Sequence, residues 1–169
     1  MIEEASEHVR GPAPTALPFG LSILPLGGDQ IDQLADYRDP WNPLPTYDGF
    51  MYLGPELEAG IARAAPQGRL LYVETNYFGG IGYQGATLFD AGRPVWKAIL
   101  TNVHDAWPRP PNYDSWAAGR PKLEFRTPIS RGLSRLGVPE PTSGDEFDAV
   151  GLGRFRTLEA LGVEEDDDE

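Results

Sequence analysis

The stretch RLLYVETNYFGGIGYQGATLFDAGRPVWKAIL, Arg69 to Leu100, decides the fold. Its opening run, Arg69 to Phe78, sets Leu71, Val73 and Thr75 in alternation with Leu70, Tyr72 and Glu74, the period of two that a strand requires, with apolar residues on both sides at its start. Ala86, Leu88 and Phe89 precede the tetrapeptide DAGR, and Val95, Trp96, Ala98, Ile99 and Leu100 follow it. These read as two further strands, with Asp90 and Gly92 forming the turn and Pro94 marking its exit. Three strand-like runs with tight connections predict an antiparallel meander.

Between the first two runs lies GGIGYQG, Gly79 to Gly85, in which Gly80, Gly82 and Gly85 formally match the glycine pattern that cradles phosphates. A dinucleotide fingerprint needs those glycines to open a long helix whose amides receive the pyrophosphate. Here only Ala86 to Ala91 intervene before Gly92 and Pro94, the residues suit a strand, and no GK[ST] follows. The glycines therefore read as a strand connection or bulge, where they permit left-handed backbone or close chain approach.

Outward from the meander, FMYLGPELEAGIARAAPQG predicts a helix. Pro55 suits the first turn, Glu56 and Glu58 suit the positive end of the dipole, and Leu57, Ile61, Ala64 and Ala65 share a face until Pro66 and Gly68 stop it. Gly60 weakens this helix by about 1 kcal/mol relative to alanine. TPISRGLSRLG predicts a second helix, capped by Thr127, with Pro128 at its first position, Ile129, Leu133 and Leu136 on one face, and Gly137 at its end. Arg131 and Arg135 put like charge on another face of it, and solvent with nearby carboxylates is the expected answer. GLSILPLGG, Gly20 to Gly28, reads as an edge strand because Pro25 interrupts it. Ile31 and Leu34, three apart in a segment with no sustained period, suit one helical turn, and DPWNPLPTYDG is loop by its prolines. DEFDAVGLGRFRTLEALG suits short helical turns, and Gly151 and Gly153 punctuate it too often for a firm assignment. The expected fold is α+β: a single domain over residues 19–162 with an antiparallel β-meander core, about two flanking helices and long proline-rich loops. Residues 1–18 read as a flexible or extended lead-in and 163–169 as a disordered acidic tail.

A chain of 169 residues suits one domain. It has no cysteine, which excludes disulfides, thiolate metal sites and cysteine nucleophiles, and no window approaches the roughly 18 uninterrupted apolar residues of a membrane span. A cytoplasmic protein is the plain expectation. The net charge is −12, yet six acids occupy the last six residues, Glu164 to Glu169, so the remaining 163 residues carry −6. An acidic surface disfavours nucleic acid and favours a basic protein partner.

Reactive groups are sparse. The histidines are His8 and His104, and His104 precedes Asp105 at the mouth of a long segment rich in proline and aromatic residues. His104 with Glu74 or Asp105 forms the one acid/base arrangement open to an enzyme reading, although spacing supplies no geometry for it. Glu74 stands out because a carboxylate within an apolar strand must face water, pair with a cation or carry a raised pKa, the last suiting a binding or acid role. No serine has a GxSxG setting, and the residues indicate no cofactor and no metal cage.

The stretches LLYVETNYFGGIGYQGATLFDAG, SRGLSRLG and DEFDAVGLGR resemble small acidic proteins of high-GC bacteria, similar in type to the immunity proteins that travel with polymorphic toxins. That resemblance implies a cytosolic, non-enzymatic interaction protein that neutralises a basic toxin by covering its active site. The contact candidates are then Glu74, Tyr77, Asp105, Trp107, Tyr113 and Trp116, aromatics holding a complex whose encounter the acids accelerate. The alternative is a small cytoplasmic enzyme using His104 with Glu74 or Asp105.

Overall fold

The computed structural model describes residues 13–37, 43–78, 81–101 and 126–155. In chain order these form a two-stranded ladder of β1 (Thr15–Ala16) and β2 (Ser22–Ile23), helices α1 (Gly28–Ala35) and α2 (Pro55–Ala64), and strands β3 (Arg69–Phe78), β4 (Ile81–Asp90) and β5 (Arg93–Thr101). Helices α3 (Pro128–Leu136) and α4 (Glu146–Ala149) follow, and a 3-10 turn at Leu152–Arg154 closes the described chain. No described helix is long and apolar enough to cross a membrane.

The expected meander is the centre of the fold, a three-stranded antiparallel sheet in the order β3, β4, β5. β3 and β4 pair without interruption from Arg69 opposite Asp90 to Phe78 opposite Ile81. Gly82 and Gly85, expected in a strand connection or bulge, thus lie within the regular pairing of β4 itself. The β4–β5 turn has Ala91 at φ 47° and Gly92 at φ 70°, the pair of left-handed residues whose twist matches that of the flanking strands. A register irregularity between Leu88 and Phe89 accommodates Pro94 on the edge strand β5.

Directly opposed residues share a face of the sheet, so the register sorts the side chains. One face carries Leu70, Tyr72 and Glu74 of β3 beside Phe89, Thr87 and Gly85 of β4. It packs under α1, α2 and the loop before α2, where Leu34, Phe50, Leu53, Leu57 and Ile61 join Tyr72 and Phe89 in one core. The other face lies under α3 and α4, where Ile129, Leu133, Val138 and Val150 are buried with Leu71 against them. The result is three layers with the sheet in the middle.

About two helices were expected, and four are present among the described residues. The additional ones are α1, where a single helical turn was expected, and α4, a four-residue helix in the stretch where short helical turns were expected. Packing, more than propensity, forms α1: a Cβ on Gly60 of α2 would lie 1.9 Å from the Leu34 carbonyl oxygen, so the two helices meet backbone to backbone. The Gly27 amide also donates to Gln30 Oε1 at 2.9 Å, satisfying a donor at the start of α1. In α4, Asp145 and Asp148 exchange side-chain bonds with each other's backbone amides. GLSILPLGG yields only the two-residue β2, and β1 lies within the stretch read as lead-in.

Helices α2 and α3 follow the predicted pattern. Leu57, Ile61 and Ala64 are buried on α2. On α3 the Thr127 hydroxyl accepts from the Ser130 amide, and Gly137 ends the helix at φ 101°. Arg131 and Arg135 are answered by an aromatic ring, their guanidinium carbons lying 5.6 and 4.6 Å from the centroid of the Trp96 ring on β5.

Candidate functional site

Glu74 sits on β3 opposite Gly85, on the face covered by α2 and its preceding loop, and is 6% exposed. Because Gly85 has no side chain, the Phe50 ring fills the space beside Glu74; a Cβ at Gly85 would lie 2.6 Å from Phe50 Cε1. The loop carrying Phe50 is shaped by a turn in which the Phe50 amide donates to the Tyr47 carbonyl at 2.9 Å, with Gly49 at φ 79° supplying the left-handed position. The Tyr47 amide donates to the Leu53 carbonyl at 2.8 Å and closes the loop on itself.

That geometry aims three consecutive amides at one carboxylate. Glu74 Oε2 accepts from Met51 N at 2.8 Å and Glu74 Oε1 from Leu53 N at 2.7 Å, while Tyr52 N lies 3.2 Å from both oxygens. Two phenols complete the shell: the Tyr72 hydroxyl donates to Oε1 at 2.8 Å and the Tyr83 hydroxyl to Oε2 at 2.5 Å. Successive amides converging in this way form an anion nest, here occupied by the protein's own carboxylate. Burial raises the Tyr72 phenol well above its ordinary value, and the adjacent Glu74 charge adds to the shift. The Tyr83 phenol is raised by burial and by its hydrogen bond to Glu74. Both phenols therefore remain donors at neutral pH.

Glu74 thus meets its buried setting by a route other than water or a cation: donors from a loop and from two tyrosines of the sheet. Its acceptor sites are used in binding the loop to the sheet. Tyr77 lies on β3 opposite Gly82, and His104, Asp105, Trp107, Tyr113 and Trp116 lie outside the described residues. The site partners missed by sequence reasoning are Met51, Tyr52, Leu53, Tyr72 and Tyr83. Only Tyr72 left a signal, since residues two apart on a strand share a face.

Next to this latch a largely apolar cleft of about 460 Å³ runs along β3. Leu70, Tyr72 and Glu74 line it from one face of the strand, and Leu71, Val73 and Thr75 from the other. α2 overhangs it with Ile61 and Ala64, and α3 with Ile129 and Leu133. Leu24 and its neighbours after β2 form the far bank, and Tyr52, half exposed, stands at its polar end. Among the described residues no group of three or more acidic or histidine side chains could hold a metal ion.

Charge is distributed unevenly over the layers. Residues 13–37 and 43–64, which carry α1, α2 and their loop, contain six acids against Arg63 alone. Asp29, Asp32, Asp36 and Asp48 are exposed there, and Glu58 is held by Lys97 of β5 at 2.9 Å. Residues 126–155 balance four arginines with four acids. The chain matches no protein-family model, no curated protein and no solved structure.

Proposed function

We propose that this chain is a non-enzymatic interaction protein that engages a basic protein partner, in the manner of an immunity protein covering the active site of a bacterial toxin. The observation that carries this reading is the acidic α1–α2 layer, whose Asp29, Asp32 and Asp48 are exposed and make no ion pair with any described residue. Unneutralised carboxylates on one layer raise the encounter rate with a cationic surface and set its orientation. Of the buried carboxylates among the described residues, Glu74 holds its own loop and Glu146 pairs with Arg126 at 2.9 Å.

Affinity capture from the source cells with the intact protein, followed by mass spectrometry, tests the reading. A near-stoichiometric basic protein is expected, lost when Asp29 and Asp32 are both replaced by lysine and weakened by added salt. Capture of no basic protein, or equal capture by the charge-reversed variant, would overturn it.

A further inference from the structure

A single cleft lined by both faces of one strand must lie off that strand's edge, and among the described residues β3 is an edge strand. The hydrogen-bonding alternation fixes which backbone groups point into it. In a hairpin whose paired ends are separated by two residues, the closing pair exchanges both its bonds, and bonded pairs recur at every second residue. Phe78 and Ile81 close the β3–β4 hairpin, so Leu70, Tyr72 and Glu74 direct their amides and carbonyls at β4. The Ala91 amide donating to the Gly68 carbonyl at 2.8 Å continues the same alternation. Leu71, Val73 and Thr75 therefore direct theirs outward, and no described residue pairs with that edge.

The two edges of the sheet are treated differently. β5 is protected by Pro94, by the register irregularity beside it and by Arg93 and Lys97, devices that discourage pairing with another chain. Outward-pairing Leu71, Val73 and Thr75 carry no proline and no charge, and Val73 is exposed. Above and below that edge, the apolar overhangs of α2 and α3 would receive alternate side chains of an added strand.

We infer that the β3 edge takes up one extended, apolar segment of a partner polypeptide as a fourth strand, with cationic residues flanking the apolar run. A compact apolar ligand would leave the edge amides and carbonyls unmet, whereas a peptide backbone pairs with them. A second copy of this chain fits poorly, because its own β3 is recessed between helical layers and cannot approach to the strand spacing of about 4.8 Å. The charge follows from α1, whose Ile31 and Leu34 line the cleft while Asp29 and Asp32 stand exposed on the same helix. The inference deepens the interaction reading above and rests on it for the partner's charge.

The test is selection of random decapeptides displayed on phage against the full chain, followed by titration of the enriched peptides as free, labelled molecules. Alternating apolar sequences with lysine or arginine at their flanks are expected. Val73→Pro removes one outward amide without touching the β4 ladder and should weaken binding at least about tenfold. Val73→Lys, which keeps the backbone intact, serves as the second variant and should weaken it similarly. Both variants are checked for an unchanged far-UV spectrum. No enrichment, or equal binding by both folded variants, would overturn the inference. So would slow amide exchange at Leu71, Val73 and Thr75 in the free protein, which would mean that another part of the chain already fills the edge, or a dimer that Val73→Pro dissociates. A captured basic protein retained by both variants would leave the interaction reading standing and remove this one. Peptide binding without a basic partner in cells would do the reverse.

Discussion

Phe50 lies against the bare backbone of Gly85, at a separation that leaves 2.6 Å between its Cε1 and any Cβ placed there. This contact sets the position of the loop whose next three amides bind Glu74, the residue opposite Gly85 on the neighbouring strand. Gly85→Ala should therefore cost more than a strand glycine normally returns, since alanine has the better strand geometry but displaces the ring. Overpacking of this kind costs about 1–3 kcal/mol. Urea denaturation should show a lower midpoint. An unchanged or raised midpoint would mean that Phe50 can relax without disturbing the latch.

Replacing Glu74 by glutamine tests the latch itself. The amide keeps one acceptor oxygen but turns an NH2 group toward donors, leaving buried amides and a phenol unpaired. The expected loss is about 3 kcal/mol of stability, together with faster amide exchange at Met51, Tyr52 and Leu53 than elsewhere in the core. Uniform acceleration across the whole chain would instead point to general destabilisation. Glu74→Asp, too short to reach both sets of donors, should fall between the two proteins.

The tyrosines give the latch an alkaline limit. An unfolded phenol ionises near pH 10, while burial and Glu74 raise Tyr72 and Tyr83 above that value in the folded protein. Above about pH 10 the unfolded chain therefore releases protons that the folded one retains, and stability falls as pH rises. Below that pH the contribution is fully present. Melting temperature followed from pH 8 to pH 12 should decline at the upper end, and Tyr72→Phe should flatten the decline while lowering the plateau. Phenolate absorbance of the folded protein should account for fewer tyrosines at pH 11 than that of the denatured protein. Equal counts would show that neither phenol is shielded.

Strand periodicity, the Asp90 to Arg93 turn and the caps of α2 and α3 were legible in the sequence because each is a local pattern with a local cause. Helix α1 was not, since its eight residues gain their stability from Gly60 on another helix. The sequence reading took Gly60 as a weak point in α2, whereas the structure makes it the place where Leu34 comes closest. Glu74 was recognisable as an anomaly from its apolar neighbours alone. Its partners were hidden because Met51 to Leu53 contribute backbone amides, which any sequence offers, and because their direction depends on the contact between Phe50 and Gly85. The cleft was equally invisible: it arises where layers packed on opposite faces of β3 overhang its edge.

The β4–β5 turn offers a gain in stability in place of a loss. Ala91 occupies the first central position at φ 47° and is exposed, with Gly92 following at φ 70°. A left-handed conformation costs an ordinary L-residue about 1–2 kcal/mol, and asparagine tolerates it better because its short polar side chain bonds locally. Asn-Gly is also the favoured pair for this turn. Ala91→Asn should therefore stabilise the protein by about 1 kcal/mol, seen as a higher urea midpoint at unchanged slope. Ala91→Gly should gain less, because glycine relieves the strain but enlarges the unfolded ensemble. The Ala91 amide that donates to Gly68 is retained in both variants, so the comparison isolates the conformational effect. A lower midpoint for the asparagine variant would show that the left-handed residue at position 91 carries no relievable strain.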